Sequence, residues 1–132
     1  MTKVLIIDDH EIFRQGLKKI ITENFQDVLF AEAGTAEEAF KLYTKENWDI
    51  VITDINLPGR SGIDIVKDLN QNHPEIPILV LSMYPEEQFA IRVIKAGASG
   101  YLSKNSALSE LISAMQNLME GKEYITESVA EV

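Results

Sequence analysis

Three runs in this chain, VLII (Val4 to Ile7), IVI (Ile50 to Ile52) and ILVL (Ile78 to Leu81), are apolar at every position rather than at every second one. A strand with one wet face alternates, so an unbroken apolar run belongs to a strand covered on both faces, the usual state of an inner strand in a parallel sheet. The longer segments containing them are KVLIID (Lys3 to Asp8), DIVITD (Asp49 to Asp54) and PILVLS (Pro77 to Ser82). VLFAEA (Val28 to Ala33) and the short GYLS (Gly100 to Ser103) are two further strand candidates.

The intervening segments have helical spacing. Phe13, Leu17, Ile20 and Ile21 fall on one helix face, and Leu108, Leu111, Ile112, Met115, Leu118 and Met119 form a second stripe near the C-terminus. Thr35, with Glu38 three residues on, reads as a capping box; Ser106 or Asn105 would cap the last helix; Gly97 and Gly121 read as helix stops. Strand and helix alternate five times without an internal repeat. This (βα)5 order predicts an α/β fold with a doubly wound, five-stranded parallel sheet and right-handed crossovers.

The chain has 132 residues, which suits one domain with its own core. It has no cysteine, which excludes disulfides, thiolate metal sites and cysteine nucleophiles. No apolar run is long enough to span a bilayer and no signal peptide is evident, so a cytoplasmic protein without a membrane partner is expected. Lys and Arg number 12 against 21 Asp and Glu, a net charge of −9, and no basic patch offsets it. This chain by itself should repel nucleic acid.

Ligands of open α/β sheets sit beyond the carboxyl ends of the strands. The first strand ends at Asp8 and Asp9, the third at Asp54, the fourth at Ser82, and Lys104 follows the fifth. Each has a plain structural reading: Asp8, Asp9 or Ser82 as helix caps, Lys104 as a solvated surface residue. Together they say more. Carboxylates about 5 Å apart repel by roughly 3 kcal/mol per pair at an effective dielectric of 20, so such a cluster calls for a cation. Mg2+ (or Mn2+) fits, since it takes carboxylate oxygens and leaves room for phosphate. Calcium lacks its loop motif, and zinc lacks cysteines and suitably spaced histidines. His10 and His73 read as a helix-start residue and a loop residue. With the ion on Asp9 and Asp54, an ionised Asp54 oxygen could attack a phosphoryl group in line while Lys104 and Ser82 contact its oxygens.

In order and spacing, VLIIDDH, DIVITDINLPGRSGID, ILVLS and KAGASGYLSK resemble the receiver domain of two-component response regulators, in the NarL/FixJ (LuxR-type) family. The likeness runs from Lys3 to Gly121. It implies the flavodoxin-like (CheY-like) fold with strand order 2-1-3-4-5. It further implies Asp54 as phosphoacceptor, Asp9 as a direct Mg2+ ligand, Asp8 acting through water, and the Asn56 backbone carbonyl completing the metal shell. Ser82 and Tyr101 match the switch pair, Lys104 the phosphoryl-binding lysine, and Asn56 and Tyr84 the positions that tune phosphoryl lifetime. Such a domain is not an enzyme in the usual sense, since it catalyses only its own phosphorylation and dephosphorylation.

The implied partner is a sensor histidine kinase, with a phosphorylation-linked homodimer as a further possibility through helices one, four or five. Residues 1–121 would form the receiver and 122–132 a tail, or the start of a linker to a helix-turn-helix domain through which alone DNA would be bound. The alternative is a stand-alone receiver acting by protein contact. One departure from the family pattern is Asn105, where many receivers follow the lysine with a cis proline; a non-proline cis bond costs about 2.5–4 kcal/mol. A haloacid dehalogenase-type phosphatase would need a DxDx[TV] motif that DDHEI does not supply, and a flavodoxin needs a hydroxyl-rich phosphate loop where this chain has acids.

Overall fold

The computed structural model describes residues 1–83 and 86–124, with 86–89 by their backbone alone. The elements alternate as β1 (Thr2–Ile7), α1 (Glu11–Asn24), β2 (Val28–Ala33), α2 (Ala36–Lys45), β3 (Ile50–Asp54), α3 (Gly62–Asn72), β4 (Ile78–Ser82), α4 (Glu86–Ala96), β5 (Gly100–Ser103) and α5 (Lys104–Met119). All strands are parallel, in the order β2-β1-β3-β4-β5. The continuous runs are the three inner strands, and their alternate residues feed two cores. Val4, Ile6, Ile50, Ile52, Leu79 and Leu81 meet Leu17 and Ile21 of α1 and Leu111, Met115 and Leu118 of α5. Leu5, Ile7, Val51 and Val80 belong to the opposite core with Ala39 and Tyr43 of α2, Ile65, Val66 and Leu69 of α3, and Ala90 and Val93 of α4. Burying both faces is what lets a strand dispense with polar residues.

Local signals account for several of the helix ends. The Thr35 hydroxyl accepts from the Glu38 N–H at 3.2 Å and lies 3.2 Å from its carboxylate. Gly97 and Gly121, at φ of 120° and 86°, take the left-handed conformation that ends α4 and α5. Gly97 is further constrained by α3, since a Cβ there would lie 2.3 Å from the Asn70 side chain.

Two readings need correction. Helix α5 begins at Lys104 with Ser103 as N-cap, directly after β5, so Ser106 and Asn105 lie inside its first turn rather than capping it. The Ser106 hydroxyl instead donates to the Ser103 carbonyl at 3.3 Å. Leu108 is half exposed and leaves the buried stripe, lying over Gly16 of α1. Among the described residues every peptide bond is trans, Lys104–Asn105 included.

The chain leaving α5 returns to the free edge of β5. Tyr124 N–H donates to the Ser99 carbonyl at 3.0 Å and Tyr101 N–H to the Tyr124 carbonyl at 3.2 Å. The Tyr124 hydroxyl reaches the Glu110 carboxylate of α5 at 2.8 Å. Residues 125–132 lie outside the described residues. No helix among the described residues is long and apolar enough to cross a membrane.

Candidate functional site

The three inner strands end at one edge, and what they carry there is polar. β3 delivers Asp54 as its last residue, and β4 delivers Ser82. Asp8 and Asp9 lie just beyond β1, and Lys104 opens α5. A rigid strand buried on both faces fixes where its last side chain points, so the site inherits the precision of the sheet.

The Asp54 carboxylate is buried: the residue is 3% exposed and Asp8 1%. Lys104 is buried with them rather than solvated. Its ammonium stands 2.7 Å from Asp8 Oδ2 and 3.3 Å from Asp54 Oδ2, bridging the two carboxylates, and 4.6 Å from the Phe13 ring centre. The repulsion inferred from the sequence is thus relieved in part from within the chain. The Asn56 N–H donates to Asp54 Oδ1 at 3.3 Å. Burial pushes the Asp54 carboxyl above its usual range; Lys104 opposes this and Asp8 adds to it. Asp54 therefore ionises less readily than an exposed aspartate, and the lysine is what favours its nucleophilic form.

The loop after Asp54 turns sharply. Asn56 and Ser61 form an isolated bridge, Gly59 has a φ of 86°, and Ser61 caps α3 by accepting from the Ile63 N–H at 3.1 Å. Gly62 N–H then donates to the Ile55 carbonyl at 2.7 Å, which brings its Cα so close that a Cβ would stand 2.1 Å from the Asp54 carbonyl oxygen. Only glycine lets α3 start against the strand carrying Asp54.

Asp8, Asp9, His10 and Asp54 each offer a ligand atom, and these atoms lie within 4.8 Å of one another. With oxygen donors dominant and one side open through half-exposed Asp9, the set fits an ion such as Mg2+. His10 is the member that sequence reasoning passed over. Its Nδ1 lies 3.0 Å from Asp8 Oδ1 and 3.3 Å from Asp9 Oδ1. The signal was its place directly after the acidic pair at the end of a buried strand. Arg14 was also missed. Its guanidinium donates to the Asp8 carbonyl and, at 3.0 Å, to Glu32 on β2, locking the turn that follows β1.

Ser82 is buried at the end of β4, in register with Ser103, and Tyr101 is buried in the core that includes Val80, Ala90 and Val93. Tyr84 lies outside the described residues.

A family model described as the response regulator receiver domain matches residues 4–116. The transcriptional regulatory protein DegU of Brevibacillus brevis is 37% identical over 123 residues, covering 93% of this chain and 52% of DegU. A solved two-component response regulator of the LuxR family from an Aurantimonas species superposes with a TM-score of 0.89 at 33% identity, covering 99% of this chain and 94% of that one. The isolated REC domain of RcsB from Salmonella enterica serovar Typhimurium, solved with the phosphomimetic BeF3-, gives 0.86 at 27% identity, covering 98% and 96%. The chain belongs to the response regulator receiver domains, in the NarL/FixJ (LuxR-type) family. It spans about half the length of the DegU relative.

Proposed function

We propose that this domain is a phosphorylation-driven switch in which Asp54 takes a phosphoryl group from the phosphohistidine of a sensor histidine kinase. An Asp54 carboxylate oxygen bonds to phosphorus as the P–N bond breaks. The electron pair leaves with the donor imidazole, which takes up a proton. Asp9, Asp54 and the Asn56 carbonyl would hold a Mg2+ or Mn2+ ion directly and Asp8 would hold it through water; the ion supplies charge neutralisation at the phosphoryl oxygens. The observation that carries this reading is the buried ammonium of Lys104 bridging Asp8 and Asp54. A cation held between two buried carboxylates can exchange one of them for a phosphoryl oxygen without moving far.

Ser82 would turn toward the new oxygens and Tyr101 would answer its movement, the pair biasing a two-state element of β4, α4 and β5. Tyr101 is inward here, so its outward position would be the alternative state. Asn56 and Tyr84 are the positions proposed to set how long the phosphoryl group survives. Residues 1–121 form the receiver on this reading, and 122–132 begin a linker to a helix-turn-helix DNA-binding domain, the output being transcriptional.

The test is incubation with acetyl phosphate and Mg2+ followed by mass spectrometry. A mass gain of one phosphoryl group is expected, absent in Asp54→Asn and suppressed by EDTA. An adduct that forms equally in the variant or in chelator overturns the mechanism. A native reading frame that stops at Val132 overturns the linker assignment.

A further inference from the structure

β5 is the last strand of the sheet, yet its outer edge is not bare. After α5 the chain turns at Gly121, where the Lys122 N–H donates back to the Asn117 carbonyl at 2.9 Å, and it reaches β5 at Tyr124. We infer that residues 122–124 are a strap that holds the switch in its resting state. The strap pairs with β5 while the Tyr101 ring is inward and leaves the edge when that ring turns outward. This rests on the reading above, in which Tyr101 answers the modification of Asp54.

The strap is attached to the switch residue itself. The Tyr101 N–H faces the outer edge and donates to the Tyr124 carbonyl at 3.2 Å, and the Tyr124 N–H donates to the Ser99 carbonyl at 3.0 Å. Together they make a parallel bridge between Gly100 and Tyr124. Glycine at position 100 lets the strap come this close, since a Cβ there would stand 3.0 Å from the Tyr124 carbonyl oxygen. The Tyr124 side chain packs against the core that α5 covers, and its hydroxyl donates to Glu110 of α5 at 2.8 Å. Both anchors, the Gly121 turn and Glu110, are on α5, so the strap can lift from β5 without unwinding the helix.

Geometry sets the sign of the coupling. Tyr101 has β4 on one side and the strap on the other. Its ring packs with Val80, Ala90 and Val93 on the face of the sheet that α4 covers. A ring leaving that core cannot cross β4, so its way out passes the outer edge, where the Tyr124 backbone stands. An outward ring and a seated strap therefore compete for one space, and each disfavours the other by the same factor. With two backbone hydrogen bonds and a half-buried side chain involved, that factor is about fivefold or more. The strap thereby passes the state of Asp54 to whatever follows it in the chain.

The experiment is amide hydrogen exchange of the full chain by nuclear magnetic resonance, with and without Mg2+ and the phosphomimetic BeF3-, together with titration of BeF3- into strap variants. Binding of BeF3- should speed exchange of the Tyr101 and Tyr124 amides at least about fivefold and leave those of β1, three strands away, unchanged. Tyr124→Pro lacks both the N–H and the aromatic ring and should bind BeF3- at least about fivefold more tightly than wild type. Tyr124→Phe loses only the bond to Glu110 and should gain less. A wild type that takes up BeF3- with the two amides unchanged or slower overturns the inference and leaves the switch reading standing. A folded Tyr124→Pro that binds BeF3- no more tightly than wild type does the same. Should Tyr124→Pro fail to fold, the wild-type exchange decides alone. A wild type that neither takes up BeF3- nor accepts a phosphoryl group overturns the switch reading, and the inference with it.

Discussion

Replacing Lys104 with methionine removes a positive charge from a buried position and keeps most of the aliphatic stem that packs near Phe13. With Nζ 2.7 Å from Asp8 Oδ2 and 3.3 Å from Asp54 Oδ2, the gross attractions at an effective dielectric of 20 are about 6 and about 5 kcal/mol. Most of this offsets the desolvation of three charges, so the measurable quantity is the penalty of leaving two carboxylates unpaired. Breaking a buried pair by deleting one partner costs about 3–5 kcal/mol. Because Lys104 holds the Asp54 carboxyl down against burial, its loss raises that carboxyl further. A group raised in the folded state contributes stability that is complete below its unfolded value, about pH 4, and is lost as pH rises through the folded value. The deficit of Lys104→Met should therefore be small near pH 4 and reach its full size at neutral pH. Urea denaturation of both proteins across that range, without divalent ions, measures it. Mg2+ should then stabilise the variant more than the wild type, because the ion supplies the missing charge. A neutral-pH deficit below about 1 kcal/mol, or one that does not depend on pH, would refute the account of Lys104 as the internal cation of the site.

Two further changes probe what surrounds the site. Gly62→Ala should cost at least about 3 kcal/mol in a urea melt, because its Cβ would meet the Asp54 carbonyl oxygen at 2.1 Å and neither backbone can move alone. Glu32 is raised by burial but drawn below its usual range overall by hydrogen bonds from Lys18 and Arg14. Its stabilisation is present above the unfolded carboxyl value and lost as pH falls through the folded one. Glu32→Gln should thus cost about 1 kcal/mol at neutral pH and make little difference in acid, as read from melts at both.

The sheet was legible because each part of the pattern has a local cause. Unbroken apolar runs mark strands covered on both sides, and the Thr35 cap and the glycines at 97 and 121 set helix ends through contacts within a few residues. The start of α5 was misplaced for the complementary reason. Several polar residues between Ser103 and Ser106 can cap a helix, and the one used depends on β5 ending where its pairing with β4 stops. The types of residue at the site were legible too, because the carboxyl ends of parallel strands converge whatever the details.

What the sequence determined by itself was the order of elements, the strands covered on both faces and the acidic character of one sheet edge. These follow from periodicity and from chain direction. The burial of Asp54, the bridging ammonium of Lys104 and the entry of His10 into the cluster were decided only by the tertiary structure. Lys104 meets Asp54 across 50 residues and His10 across 94, and no local pattern encodes a distance between side chains so far apart in the chain. Whether a carboxylate at a strand end is wet or dry depends on what the neighbouring elements place over it. Here they place a lysine there, and that converts an acidic edge into a site.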